Sequence, residues 1–302
     1  MKYSKIIVLL VVVSLPYLTA CSLSVGQFSN DLNSAIRANN DPQTIMQAVP
    51  AYVMLLDTMI ESDPEDEDTL LASSKLINAY VGLLTEDIKE LSNVDNDQIN
   101  RYESEKIKIQ QKKLANKALE RAADANCYYE DKFCNLITMQ YSVFEEHLKD
   151  IDKDDLDMLY SLGSAWASWL QINSDDWNAM AKLPQIKLIM QKVISIDERW
   201  DNAGAHIYLG VLNSIIPSSL GGKPEVGRAS FEKAIALTQG KNLMAKVLYA
   251  EYYARLIYDR ELHQKLILEV LNYNKSEHEY ILINTLAIRK AKILQANSEE
   301  YF

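Results

Sequence analysis

Cys21 is the residue whose neighbours most clearly prescribe a chemistry. It follows Leu18, Thr19 and Ala20 in the order L-T-A-C, behind an apolar run from Ile6 to Val13 and a short leader that carries Lys2 and Lys5. The apolar run is too short to span a bilayer. Small residues ahead of a cysteine in that setting are what lipoprotein processing requires, because the thiol takes up a diacylglycerol before the leader is cut. Residues 1–20 therefore read as a signal peptide, and the mature chain is expected to begin at lipidated Cys21, outside the cytoplasm. An ordinary secretory signal cut nearby is the alternative reading. Ser22, and no Asp, follows the cysteine, which favours the outer membrane, facing the periplasm, over retention at the inner membrane.

Cys127 and Cys134 are the other two cysteines. An oxidising compartment predicts a disulfide between them, and two thiols with no histidine nearby make a poor metal site. Seven residues along a continuous helix separate two Cα atoms by about 10 Å, beyond disulfide reach. The bond thus requires a turn within Asn126 to Phe133.

Two acidic runs, ESDPEDED at 61–68 and DIDKDDLDMLYS at 150–161, have the look of cation loops. In the second, Asp150, Asp152 and Asp154 fit the first, third and fifth positions of a calcium hand. Asp155 then stands where glycine is needed and Ser161 where glutamate is needed. Acids at helix N-termini are the simpler explanation. Glu251, Arg255 and Asp259, spaced four apart, suit a half-buried ion network on one helix face. Asp259 and His263 could also hold a metal, but no third ligand is near, and no metal or other cofactor is expected. No Gly-rich phosphate loop, no Cys-His pair at nucleophile spacing and no cluster among His147, His206, His263 and His278 points to catalysis. The chain does not read as an enzyme.

The elements that must position these residues read as helices. The 302 residues include nine glycines and seven prolines, without sustained alternation of apolar and polar positions, which predicts an all-α fold. The formal charge is −11, and loss of the two leader lysines takes it to −13, which argues against nucleic acid as a partner. Arg101 to Arg121 is the one basic tract, with seven Lys or Arg against three Glu. Its apolar positions fall at helical spacing, so it reads as a solvated helix face, or as a dock for an anionic membrane surface or acidic partner. The expected organisation is a lipidated tether over 21–49, a helical body over 50–296 and a loose tail over 297–302.

Within that body, the apolar run from Ile207 to Ile216 ends at Pro217, Gly221 and Gly222 make a turn, and Pro224 suits the first turn of a second helix. Gly227, Phe231 and Ala234 fall on one face of it, with Gly210 on the helix before. Small residues flanking an aromatic at offsets of four and three are those of a tetratricopeptide-repeat second helix, and the prediction is a stack of such hairpins in a compact α-solenoid. Gly227 stands where alanine is usual, and the connection from Pro217 to Gly222 is longer than in a standard repeat. Trp166 and Trp169, three apart, are either core or the apolar wall of a ligand cavity.

The stretch Ala203 to His263, ending AEYYARLIYDRELH, together with YSLGSAWASWLQINSDDWNAMAKLPQIKLIMQKVISIDERW at 160–200, resembles the T-component (TatT) lipoprotein family of TRAP transporters. The resemblance runs from about Ala51 to the end and carries no catalytic motif. It implies a component working beside a periplasmic solute-binding protein of a TRAP-type system, forming homo-oligomers and passing a hydrophobic or carboxylate ligand through an internal channel. On that basis Trp166, Trp169 and Tyr253, with Arg255 at the polar end, are the candidate ligand path. The rival reading is an outer-membrane-anchored repeat scaffold for envelope protein assembly, with no small ligand.

Overall fold

The structure is a computed structural model and describes residues 25–93, 98–275 and 278–302. The leader, the L-T-A-C box and Cys21 lie outside the described residues. Among the described residues every regular element is helical, as the sparse glycine and proline content predicts.

The helices are α1 (Val25–Arg37), α2 (Pro42–Ser62), α3 (Glu67–Asn93), α4 (Gln98–Tyr129), α5 (Tyr141–His147), α6 (Leu156–Ile172), α7 (Trp177–Met180), α8 (Leu183–Ile196), α9 (Trp200–Asn213), α10 (Pro224–Leu237), α11 (Leu243–Leu248), α12 (Arg260–Leu271), α13 (Ile281–Ala296) and α14 (Ser298–Tyr301). α2 begins where Asp41 caps it, its side chain accepting from the Gln43 amide, with Pro42 in the first turn. That start lies inside the segment expected to be tether, and Pro50 stands within the helix.

Both acidic runs serve helix starts. Glu67 and Asp68 occupy the first turn of α3. Asp155 is buried ahead of α6, where it accepts from the Asp152 amide and the Lys132 ammonium, both at 2.9 Å. Among the described residues no group of three or more His, Cys, Asp or Glu side chains could hold a metal.

Each helix packs on its neighbours in sequence, α2 on α3, α3 on α4, α4 on α6, α6 on α8, α8 on α9 and α9 on α10. One large apolar core runs through α2 to α9, and a second gathers Phe231, Tyr249, Tyr253, Ile267, Ala287 and Ala291. α13 joins the two. Its Ala287, Ala291 and Leu294 lie in the second core and its Leu286 in the first, and it reaches back to touch α1, α2 and α3.

The α9–α10 hairpin shows why glycine is required twice. A Cβ on Gly210 would lie 2.6 Å from the Phe231 ring, and one on Gly227 would lie 2.8 Å from the Gly210 carbonyl oxygen. The two backbones approach this closely because neither residue has a side chain. Phe231 and Ala234 are fully buried in the contact. The turn after Pro217 closes with Gly221 in the left-handed region at φ +84°, and Pro224 opens α10.

Two further segments differ from expectation. The run from Ala250 to His263 is two elements, because α11 widens into a π-helical turn over Tyr249–Ala254 and the chain then breaks at Tyr258, with φ +56°. Asp259 caps α12 by accepting from the Leu262 amide, so it leaves the face shared by Glu251 and Arg255. The last six residues, expected as a loose tail, instead fold back as α14. Glu299 pairs with Arg260, and Tyr301 and Phe302 pack on Arg255 and His263.

Candidate functional site

The π-helical turn presents its aromatic and charged residues in two directions. Tyr249 and Tyr253 turn toward α10, where Tyr249 stacks on Phe231 with centroids 5.3 Å apart and lies 5.4 Å from Tyr253. Their hydroxyls donate to Glu232 at 3.1 Å and Glu225 at 2.7 Å. Burial, then the neighbouring carboxylate, pushes the Tyr249 hydroxyl well above its ordinary pKa.

Glu251 and Tyr252 point elsewhere, into the seam between α13, α3 and the end of α6. Lys290 of α13 is only 3% exposed and places its ammonium 2.9 Å from a Glu251 oxygen and 2.9 Å from a Glu86 oxygen of α3. Two carboxylates at this distance offset the hydration that a lysine loses on burial this deep. Tyr252 accepts from the Gln171 amide at 3.1 Å and keeps some accessible surface, while burial pushes its hydroxyl pKa strongly upward. One π turn thus carries both the stacked tyrosines and the polar seam. An extra residue within a helical turn re-aims the side chains after it, and such turns recur at functional sites.

The four residues of the expected ligand path do not converge. Trp166 is 1% exposed in the first core, edge-on to Phe144 with centroids 6.2 Å apart. Trp169 is half-buried on the same helix and donates to Asn116 at 2.6 Å. Tyr253 is 1% exposed in the second core. Arg255 lies beyond both, its guanidinium 3.8 Å from the centre of the Tyr301 ring. What connects the two cores at this level is Gln171, two residues past Trp169, through its bond to Tyr252. Sequence spacing missed Gln171, Tyr252, Lys290 and Glu86. Lys290, between Ala287 and Ala291 on the inward stripe of α13, was the available signal.

A second polar group surrounds the start of α9, where Asp201, Asn202 and Ala203 all have left-handed backbones, with φ between 44° and 61°. Asp and Asn tolerate this conformation, whereas Ala203 pays roughly 1–2 kcal/mol for it. The turn is pinned from outside, as Arg37 of α1 pairs with Asp201 at 2.7 Å and Tyr280 donates to Asn202 at 2.8 Å. Beside it lies an open cleft of 280 Å³ lined by Asn33, Ser34, Arg37, His278 and Glu279.

Cys127 sits in the last turns of α4, and the chain folds back through a 3-10 turn at Asp131–Phe133, bringing Cys134 to a Cα–Cα distance of 4.2 Å with the sulfurs bonded. The turn that the spacing demanded lies at Glu130–Phe133. The basic tract on α4 is solvated for much of its length, and its inner lysine, Lys117, pairs with Asp57 of α2 at 2.5 Å. Trp177 is 88% exposed on α7.

The described residues thus form a helical body with two apolar cores and a polar seam between them. The sequence model of the TRAP transporter T-component family matches residues 38–302, and the chain belongs to that family. No curated protein matches it. Membership gives the chain a role in TRAP transporter systems and an envelope-associated location, and such a transporter component is not an enzyme class.

Proposed function

We propose that the chain is the extracytoplasmic, lipid-anchored component of a TRAP-type solute transport system, that it binds the periplasmic solute-binding protein of that system, and that it admits a hydrophobic or carboxylate ligand between its helices. The observation that carries this reading is the family match over residues 38–302. The L-T-A-C sequence ending at Cys21 supports lipid anchoring, and Ser22 supports an outer-membrane address. Tetratricopeptide-like stacking of the hairpins and homo-oligomer formation belong to the same reading.

Of the four ligand-path residues, Trp169 and Arg255 keep accessible surface, while Trp166 and Tyr253 are buried in separate cores. Replacing Trp169 with Ala weakens binding of an apolar ligand and leaves the helical circular dichroism intact; unchanged binding removes that residue from the path.

The decisive experiment is a pull-down from a periplasmic extract of the source organism, using the body that starts after Cys21, with bound proteins identified by mass spectrometry. Recovery of a TRAP-type solute-binding protein is the expected result. Recovery of envelope-assembly proteins in its place overturns the transport role in favour of a scaffold.

A further inference from the structure

The basic tract on α4 belongs to neither core and not to the polar seam, and its outward stripe mixes two kinds of side chain. Tyr102, Lys106, Ile109 and Lys113 recur at offsets of four, three and four, which sets them in line along one side of the helix. All four are exposed, Tyr102 by 70% and Ile109 by 60%, whereas Gln111, Ala115, Ala118 and Ala122 on the opposite side are buried. Single exposed apolar residues are common on protein surfaces. Here an aromatic and a branched aliphatic side chain alternate with lysines on one stripe, and exposed Lys112 stands beside it.

The electrostatics of the stripe run against those of the chain. From Tyr102 to Lys117 there are five lysines and two glutamates, a local charge of +3 on a protein whose formal charge is −11. Glu103 lies 4.0 Å from Lys106 and Glu105 2.7 Å from Lys108, both exposed pairs within one turn, and such pairs contribute little and release their lysines readily. Lys112 and Lys113 have no ion pair among the described residues. At the other end of the tract Lys117 and Arg121 turn to Asp57 of α2, so they fasten the helix to the body. The screening length at physiological salt is about 8 Å, so acids on the far sides of the body add little to the field at a surface touching this stripe.

We propose that the stripe docks on an anionic phospholipid surface, with Lys106, Lys112 and Lys113 against the phosphates and Tyr102 and Ile109 in the headgroup layer. Lysines beside exposed aromatic and aliphatic side chains on one helix face combine the two attractions of an interfacial contact, charge from the lysines and burial from the apolar tips. The bilayer itself comes from the lipid-anchored reading above, on which the proposal rests for its setting and not for its chemistry. A lipid at Cys21 tethers the body without orienting it. A second contact along α4 lays that helix on the membrane and fixes which side of the body faces away from it.

The test uses the chain from Ser22 onward, which keeps every described residue and lacks the anchor, in co-sedimentation with vesicles. One set is a two-to-one mixture of phosphatidylcholine and phosphatidylglycerol, and the other is phosphatidylcholine alone. The expected result is binding to the anionic vesicles at least tenfold tighter than to the neutral ones, weakening steeply as salt is raised. A lysine near such a surface contributes about fivefold in affinity, so Lys106→Gln, Lys112→Gln and Lys113→Gln together weaken binding at least tenfold with circular dichroism unchanged. Tyr102→Ser with Ile109→Ser keeps the charge and weakens binding by roughly fivefold or more, through lost apolar burial. Should the lysine variant fail to fold, the lipid selectivity and salt dependence of the unmodified chain decide. Equal binding to the two vesicles, or unchanged binding in the lysine variant, overturns the dock. Loss in the lysine variant with none in the Tyr102 and Ile109 variant also overturns it, and leaves a cationic patch suited to an acidic protein. Because the chain used has no anchor, the dock can fail while the lipidated protein still fractionates with membranes, and succeed when it does not.

Discussion

The α9–α10 hairpin and the seam between α13 and α3 close by opposite means. In the hairpin, Gly210 and Gly227 remove side chains so that one backbone rests against Phe231 and the other against a carbonyl, and the contact is apolar and narrow. In the seam, Lys290 stands between two carboxylates from elements far apart in sequence. The first contact tolerates no added atom, and the second tolerates no missing charge. Close packing penalises volume, while buried electrostatics penalises imbalance.

That contrast can be broken most directly at Lys290. Lys290→Met leaves two carboxylates facing each other in a buried seam and is expected to cost about 3–5 kcal/mol in urea unfolding. Adding Glu86→Gln and Glu251→Gln recovers most of that loss; if the triple variant is no more stable than Lys290→Met, charge imbalance is the wrong account of the seam. Gly210→Ala probes the other side, with an expected loss of about 1–3 kcal/mol from overpacking against Phe231. A loss smaller than that of a helix-surface substitution would mean the ring moves aside freely.

A third effect is confined to acid. The folded protein holds His263 near 4 against an ordinary value of 6.5, so the unfolded chain binds the proton more readily across that interval. The stability that His263 contributes is therefore complete above about 6.5 and is lost as pH falls toward 4. His263→Gln flattens that part of the stability profile, and an unchanged profile would assign the acid sensitivity to other groups. The smallest effect is expected at Arg228, which pairs with Glu232 on the exposed face of α10. Arg228→Ala should change stability by less than about 0.5 kcal/mol, and it marks the level against which a buried charge counts as costly.

How much of this was legible beforehand follows the same division. The helical hairpin could be read because glycine, proline and aromatic spacing report local geometry within about twenty residues. The acidic runs were readable as helix starts for the same reason. The disulfide could be stated only with a condition, that a turn fall between Cys127 and Cys134, and the chain turns at Asp131–Phe133. The polar seam was not legible. Nothing near Lys290 announces Glu86, 204 positions earlier, and the π turn that aims Glu251 toward it breaks the regular spacing on which helix-face arguments depend. The four-residue ligand path failed to converge for a related reason. Trp166 and Tyr253 were selected as apolar and aromatic, and such residues went to the nearest core, of which there are two. The tail gave least warning of all. Its six residues carry one tyrosine and one phenylalanine, and both find their places on side chains, Arg255 and His263, that the sequence had put to other uses.

The contact of Lys290 with Glu86 also bears on how the chain folds and opens. In an open array of repeats, each unit leans only on its neighbours, and amide exchange can begin by fraying at either end. Here the last long helix is fastened to one of the first, so α3 and α13 are expected to exchange their protected amides together. The loop they close is among the longest available to the chain, which raises the contact order and places this step late and slow in folding. A ribosome-bound chain lacking α13 would hold Glu86 and Glu251 without their lysine until the final helix emerged.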